Sequence, residues 1–313
     1  MSTQLFSQSC DTLGSTVELW VAADDQAHAE RWFIELWDMV HVFNNRFSRF
    51  IDTSELSILN RQAGTRVPIS IAFKQVLERT KFFSALTDGL FNPFVLPNLH
   101  RAGYTTSMTV NTHHSSRYDD RIMAKYTELE IGEDWVRIPQ DTAIDLGGIG
   151  KGYLADELAA HLVQHTNDYC LSLGGDIHIS GKRPEGSWVV DIETLPSTQH
   201  VSASYMNAKT PYGIATSGTT RSKAHKAQAH IIDPRTGTPV ESDYSTATVA
   251  AADTTTADVL ASCMLISGTE FAEDMIAKGY ARAVLLQEKS GSIKTLGEGF
   301  LITDDSRSIP YNT

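Results

Sequence analysis

Three features of the chain predict an α+β fold, with mixed or antiparallel sheets and helices packed on them. Strand-like and helix-like stretches intermingle without the strict βαβ alternation that a parallel, doubly wound sheet requires. Runs of alternating apolar and polar residues come in pairs around glycine turns, as in TELEIGEDWVRIPQDTAI (127–144) and LSLGGDIHISG (171–181). The glycine-rich segment DLGGIGKG (145–152) has no GxGxxG spacing and no apparent acidic ribose partner, which disfavours a Rossmann fold. Nor does it match the GxxxxGK[ST] of a P-loop.

In chain order, residues 11–22 alternate well enough for a strand. Residues 27–45 place Phe33, Leu36, Trp37 and Val40 at helical spacing, a core-facing stripe. Ser54 or Thr53 caps a short helix in FSRFIDTSELSILN (47–60), and Ser70 caps a second one with Phe73, Val76, Leu77 and Phe83 inward. Gly, Pro and Asn punctuate residues 87–104 and end that helix; 115–121 is a polar surface loop, nothing in 105–125 suggests chemistry, and His113 and His114 read as solvated. The stretch 127–144 reads as two short strands around a Gly/Glu/Asp turn. After DLGGIGKG, Leu154, Leu158 and Leu162 recur every fourth residue on one face of a helix. The glycines therefore sit between a strand and a helix N-terminus, where free N–H groups favour an anion and glycine permits close approach or positive φ. A tight turn with no ligand is the alternative.

LSLGGDIHISG reads as a hairpin, and residues 188–196 and the start of IATSGTTR (214–221) as strands. HIIDPRTGTP (230–239) is a strand and a turn, Thr248–Ala252 begins another strand, and Thr255–Gly268 is a helix. A helix over Thr269–Gly279 and strands on either side of Ser290 and Gly291 complete the chain.

Composition bounds the function. The 313 residues suit one large or two modest domains, and 41% hydrophobic with 20% charged residues is ordinary for a soluble globular protein. Lys and Arg number 26 against 38 Asp and Glu, a formal charge of −12 that argues against a nucleic-acid backbone as partner. Cys10, Cys170 and Cys263 are widely spaced and form no CxxC pair, so neither a disulfide framework nor a cysteine zinc site is implied. The N-terminus has no basic or apolar leader region, and no stretch approaches the roughly 20 apolar residues of a membrane span. A cytoplasmic protein without a transmembrane segment is expected, or an exported one if the chain was trimmed.

Asp258 and Ser262 are four apart in a predicted helix and so share a face. A carboxylate, a hydroxyl and waters form a hard oxygen set suited to Mg²⁺. Thr255-x-x-Asp258 also reads as a capping box, and both readings stand at this stage.

DLGGIGKG, LSLGGDIHISG, IATSGTTR, HIIDPRTGTP and TTADVLAS (255–262), following FSRFIDTSELSILN in that order, resemble the FAD:protein FMN transferases, the ApbE-type flavin transferases, over about residues 11–268. Leu13, Gly14 and Ser15 stand where that family opens with Met-Gly-Thr. The resemblance implies an ApbE-like, T-fold-related architecture over 1–313, one unit or two subdomains with the FAD and Mg²⁺ site between them. It implies Mg²⁺-dependent transfer of FMN from FAD to a Thr or Ser hydroxyl of an acceptor protein, releasing AMP. An FAD pyrophosphatase using water, and an FAD-binding protein without turnover, are the alternatives. By the same resemblance His230 is the general base, and Gly148 (through its carbonyl), Asp258 and Ser262 are the metal ligands. Phe50, Asn92, Pro93, Phe94, Asp145, Lys151, Asp176, Thr216, Ser217, Gly218 and Ile232 are implied as nucleotide contacts. Asn92 and Phe94 depart from the Asp and Thr usual in the family.

Overall fold

The computed structural model of the chain describes residues 3–104, 123–194, 201–206, 211–219 and 231–304. His113, His114, the 115–121 loop, Thr220 and His230 lie outside the described residues.

The chain opens with β1 (Gln4–Thr12) and β2 (Ser15–Ala23), an antiparallel hairpin turning at Leu13 (φ +54°) and Gly14 (φ +72°). Two successive positive φ angles match the twist of the flanking strands. The single strand expected over 11–22 is thereby corrected. β1 is an exposed edge strand, so its residues carry little alternation to read.

Helix α1 (Gln26–Phe47) buries Phe33, Leu36 and Val40, whereas Trp37 stays half-buried and donates to Gln8 Oε1 at 2.7 Å. Helices α2 (Glu55–Arg61) and α3 (Ile71–Leu86) flank the short β3 (Val67–Pro68) and start at the predicted caps. There Ser54 and Ser70 accept the N–H groups of Ser57 and Phe73. A 3₁₀ turn at Pro93–Val95 leads into α4 (Leu96–Arg101), and β4 (Glu130–Ile131) and β5 (Trp135–Arg137) join β3 in a small sheet.

Next come α5 (Gly150–Leu162), β6 (Tyr169–Leu173) and β7 (Asp176–Ser180). Gly174 and Gly175 make the turn of the last two at φ +66° and +93°, and Asp176 opens β7. The chain continues through β8 (Val190–Ile192), β9 (Val201–Tyr205), β10 (Tyr212–Gly218), β11 (Ile232–Asp233), β12 (Thr238–Pro239) and β13 (Tyr244–Ala251). Helix α6 (Thr254–Ala277) and strands β14 (Ala281–Glu288), β15 (Ile293–Gly297) and β16 (Phe300–Asp304) follow. Gly268 (φ +67°, ψ −149°) breaks α6 where the sequence places a helix boundary.

The main sheet runs β1-β2-β6-β7-β10-β13-β14-β15, and every described strand pair in it is antiparallel. On one face, Val17, Leu19 and Val21 of β2 and Leu171 and Leu173 of β6 meet α1 and α5, with Leu154, Leu158 and Leu162 inward. Leu260, Met264 and Leu265 of α6 cover Ala247, Val249, Val284 and Leu286. On the other face, Ile179, Tyr212, Ile214 and Leu285 pack on a second sheet, β16-β9-β8. A further core, built on Phe73, Phe83 and Val136, reaches Ile144, Leu146 and Ile149 and touches α6 at Val259 and Cys263. The glycine segment thus lies between the small-sheet core and the main sheet. Among the described residues no helix is long and apolar enough to cross a membrane.

The start of α6 is held from two directions. Asp253 is the N-cap and accepts the Thr256 N–H at 2.8 Å, while Asp156 of α5 accepts the Thr254 and Thr255 N–H groups, each at 2.8 Å, and the Thr255 hydroxyl. This corrects the capping-box reading: Thr255 is already inside the helix, and Asp258 is not engaged at its end. His178 Nδ1 lies 2.9 Å from Asp156 Oδ1. Burial raises the Asp156 pKa, but the hydrogen bond and charge of His178 and the bonds from Thr255 outweigh it and bring the carboxyl below its ordinary value. A depressed folded pKa means stability present above the unfolded value near 3.8 and lost as pH falls through the lower folded value. Asp156→Ala is expected to cost about 2–4 kcal/mol, since it strands two helix N–H groups and a histidine. In acid titrations followed by circular dichroism, its loss of stability below about pH 4 should be shallower than that of the parent chain.

Candidate active site

The glycine segment is reached differently from expectation. No strand immediately precedes it: β5 ends at Arg137, and residues 138–149 run without regular structure. A side chain replaces the missing strand partner. Asn60 of α2 donates to the Ile144 carbonyl and accepts the Ile144 N–H, both at 2.9 Å, as a neighbouring strand would. The next residue, Asp145, donates its N–H to the Pro93 carbonyl at 2.8 Å.

None of Gly147, Gly148, Gly150 and Gly152 adopts positive φ, so of the two reasons for glycine only close approach applies. A Cβ on Gly152 would lie 2.7 Å from the Thr254 carbonyl oxygen and 2.9 Å from Asp258 Cβ. Glycine there lets the first turn of α5 touch the first turns of α6, and Asp258 Oδ2 accepts the Gly152 N–H at 3.2 Å.

Around this contact is a cavity of about 340 Å³. The hairpin tip Leu13–Ser15 forms part of its wall, and Asn92, Asp145, Gly148, Lys151, Asp176, Thr216, Ser217, Gly218, Ile232, Asp258 and Ser262 all line it. Twelve of the predicted site residues counted with Phe50 are thus brought to this region. Phe50 lines a second cavity of about 310 Å³, which shares Leu13, Gly14, Tyr104, Asp145, Gly147 and Lys151 with the first. Pro93 and Phe94 line neither cavity. Phe94 is 1% exposed in the core and Pro93 is buried behind the wall, where its carbonyl receives Asp145. Asn92 caps the 3₁₀ turn through the Phe94 N–H (3.0 Å) and donates to the Ala124 carbonyl (3.0 Å). His230 lies outside the described residues, but Ile231 and Ile232, which follow it, line the first cavity.

The electrostatics centre on two buried carboxylates. Lys151, in the first turn of α5, is ion-paired with Asp176, whose carboxyl burial pushes upward against the pull of that lysine. Asp258 is pushed up to about 7 by burial and by the charge of Asp176, against the opposing effects of Lys151 and the Gly152 N–H. Ser262 Oγ, one turn along α6, is 2.9 Å from Ser217 Oγ, and Thr216 Oγ1 is 2.9 Å from Thr248 Oγ1. The result is a pocket of hard oxygen donors with more negative charge than one lysine neutralises. Such a donor set fits a divalent cation of the Mg²⁺ type. The Cys263 thiol in the wall is pushed up to about 12 by burial, which makes it inert.

Sequence reasoning missed Ser15 and Arg49 as wall residues. Arg49 Nε lies 3.4 Å from Asp145 Oδ1, and its guanidinium stacks over Phe50 (4.6 Å) and Tyr104 (5.0 Å). Arg49 Nη1 and Ser15 Oγ are buried without a hydrogen-bond partner, each in the wall of one cavity. Orphaned donors of this kind are rare in folded proteins and point to a ligand that completes them. The available signal was a cation set between two aromatic residues in FSRF.

Antiparallel sheets with packed helices are an architecture this chain shares with solved flavin transferases. The flavin transferase ApbE from Vibrio cholerae superposes with a TM-score of 0.77 at 25% identity, covering 97% of this chain and 98% of that one. The ApbE protein of Thermotoga maritima, at 21% identity, shares the fold with a TM-score of 0.77 over 93% of this chain and 96% of its own. The FAD:protein FMN transferase of Haemophilus influenzae is 26% identical over 310 residues, 91% of this chain and 87% of that protein. This chain belongs to the ApbE family, whose model matches residues 13–285, and is an enzyme of the transferase class.

Proposed function

We propose that the chain moves FMN from FAD to a Thr or Ser hydroxyl of an acceptor protein, in a Mg²⁺-dependent reaction that releases AMP. The observation that carries this reading is the meeting, in one cavity, of Asp258 and Ser262 from a single turn of α6 with Gly148 and the Lys151–Asp176 pair. Asp258, Ser262 and the carbonyl of Gly148 would hold the ion, which when bound supplies charge neutralisation at the pyrophosphate.

The acceptor oxygen forms a bond to the FMN phosphorus, the pyrophosphate bond to AMP breaks, and AMP leaves with that electron pair. Lys151 offers a cation at the cavity wall for a phosphate oxygen, with Asp176 fixing its position. Phe50 gives an aromatic face to the second chamber, and Arg49 an unused donor, suited to a planar ring with polar edges. His230 takes the hydroxyl proton, a task suited to an imidazole, the side chain that most often serves as general base. The place of Ile231 and Ile232 in the cavity wall supports that role.

Incubation with FAD, Mg²⁺ and a candidate acceptor, followed by mass spectrometry, tests the reading. The acceptor should gain one FMN as AMP appears. Free FMN and AMP with an unmodified acceptor would instead establish a pyrophosphatase, and unconsumed FAD a binding protein. His230→Ala is expected to slow transfer by ~10²–10⁴-fold with FAD affinity intact; undiminished transfer removes the histidine from the mechanism.

A further inference from the structure

Away from the cavity, Glu35 of α1 meets His161 in the last turn of α5 and His165 just beyond the end of that helix. The Glu35 Oε2 atom lies 2.8 Å from His161 Nε2 and 3.7 Å from His165 Nε2, and the three ligand-capable atoms all fall within 4.8 Å of one another. Donors around a tetrahedral ion at about 2.0–2.1 Å sit roughly 3.3 Å apart, and the two observed separations straddle that value. The rings already have converging orientations. His161 and His165 are edge-to-face at 5.3 Å, and Trp32 of α1 stacks on His165 at 5.8 Å and 24°. His161 is 30% exposed, His165 34% and Glu35 48%, so an ion can reach the cluster from solvent.

We propose that Glu35, His161 and His165 form a binding site for a zinc-type transition-metal dication, separate from the cavity. Two imidazole nitrogens and one carboxylate suit zinc, whereas the cavity offers the oxygen donors preferred by Mg²⁺. The two sites therefore select different ions. Three protein ligands leave a fourth position for water. The ion joins α1 to α5, the helix whose first turn carries Lys151.

Chelator-treated protein, titrated with zinc chloride by calorimetry in saturating magnesium chloride, tests the site. One zinc per chain is expected, undisturbed by magnesium, with thermal unfolding shifted upward. His161→Ala and Glu35→Ala, both at surface positions, should each weaken binding by at least about tenfold, the scale seen when even the groups supporting metal ligands are lost. Cobalt(II) loaded in place of zinc should give the visible absorption of a four-coordinate ion, absent in His161→Ala. Zinc affinity equal in the parent and both variants, displacement of zinc by magnesium, or no zinc uptake would each overturn the proposal.

Discussion

Asp258→Asn is expected to reduce FMN transfer by ~10³-fold, the loss that follows when a metal-held charge clamp worth several kcal/mol is weakened. The same change should leave thermal stability equal to or above that of the parent chain. Asp258 is buried in the cavity wall near Asp176, and its carboxyl is pushed up to about 7 by burial and that neighbouring charge. An amide of nearly the same shape removes the repulsion and can still accept the Gly152 N–H. Single-turnover transfer and calorimetric unfolding together check the pair of outcomes. Wild-type activity, or a sharply lowered melting temperature, would show that Asp258 holds the fold and not an ion.

Gly152→Ala should be damaging on both counts. The added methyl would stand 2.7 Å from the Thr254 carbonyl oxygen and 2.9 Å from Asp258 Cβ, both in the first turns of a buried helix. Backbone cannot yield as a flexible side-chain end can, so α5 and α6 must separate, at a cost of about 3 kcal/mol. A melting temperature lower by roughly 5 °C is expected for a chain of this size. Transfer should fall further than stability does, because the displaced residue is Asp258. A variant as stable and active as the parent would show that the helix contact is slack.

Much of this site was legible because its parts carry local signatures. Ser54 and Ser70 announce helices through capping chemistry, and the Gly174–Gly175 turn announces its hairpin. Asp258 and Ser262 announce a shared face through their spacing. What stayed hidden depends on distant partners. The role of Asn60 becomes visible only when Ile144, 84 positions away, lies beside it. Asp156 reads as one more polar residue on an amphipathic helix until α6 arrives to be capped by it. Thr255 and Asp258 have the spacing of a cap, and only the position of Asp253 shows that the helix begins earlier. Pro93 and Phe94 belong to a segment at the cavity, yet their side chains serve the core behind it, because Asn92 alone in that trio lines the cavity.

Helix α5 also acts as a ruler. Lys151 stands in its first turn and Asp156 five residues on, a span of about 7.5 Å along the axis at 1.5 Å per residue. The gap between the cation at the cavity and the carboxylate that seats α6 is therefore set by helix geometry. Connecting loops elsewhere in the chain can lengthen or shorten without rescaling the distance between them.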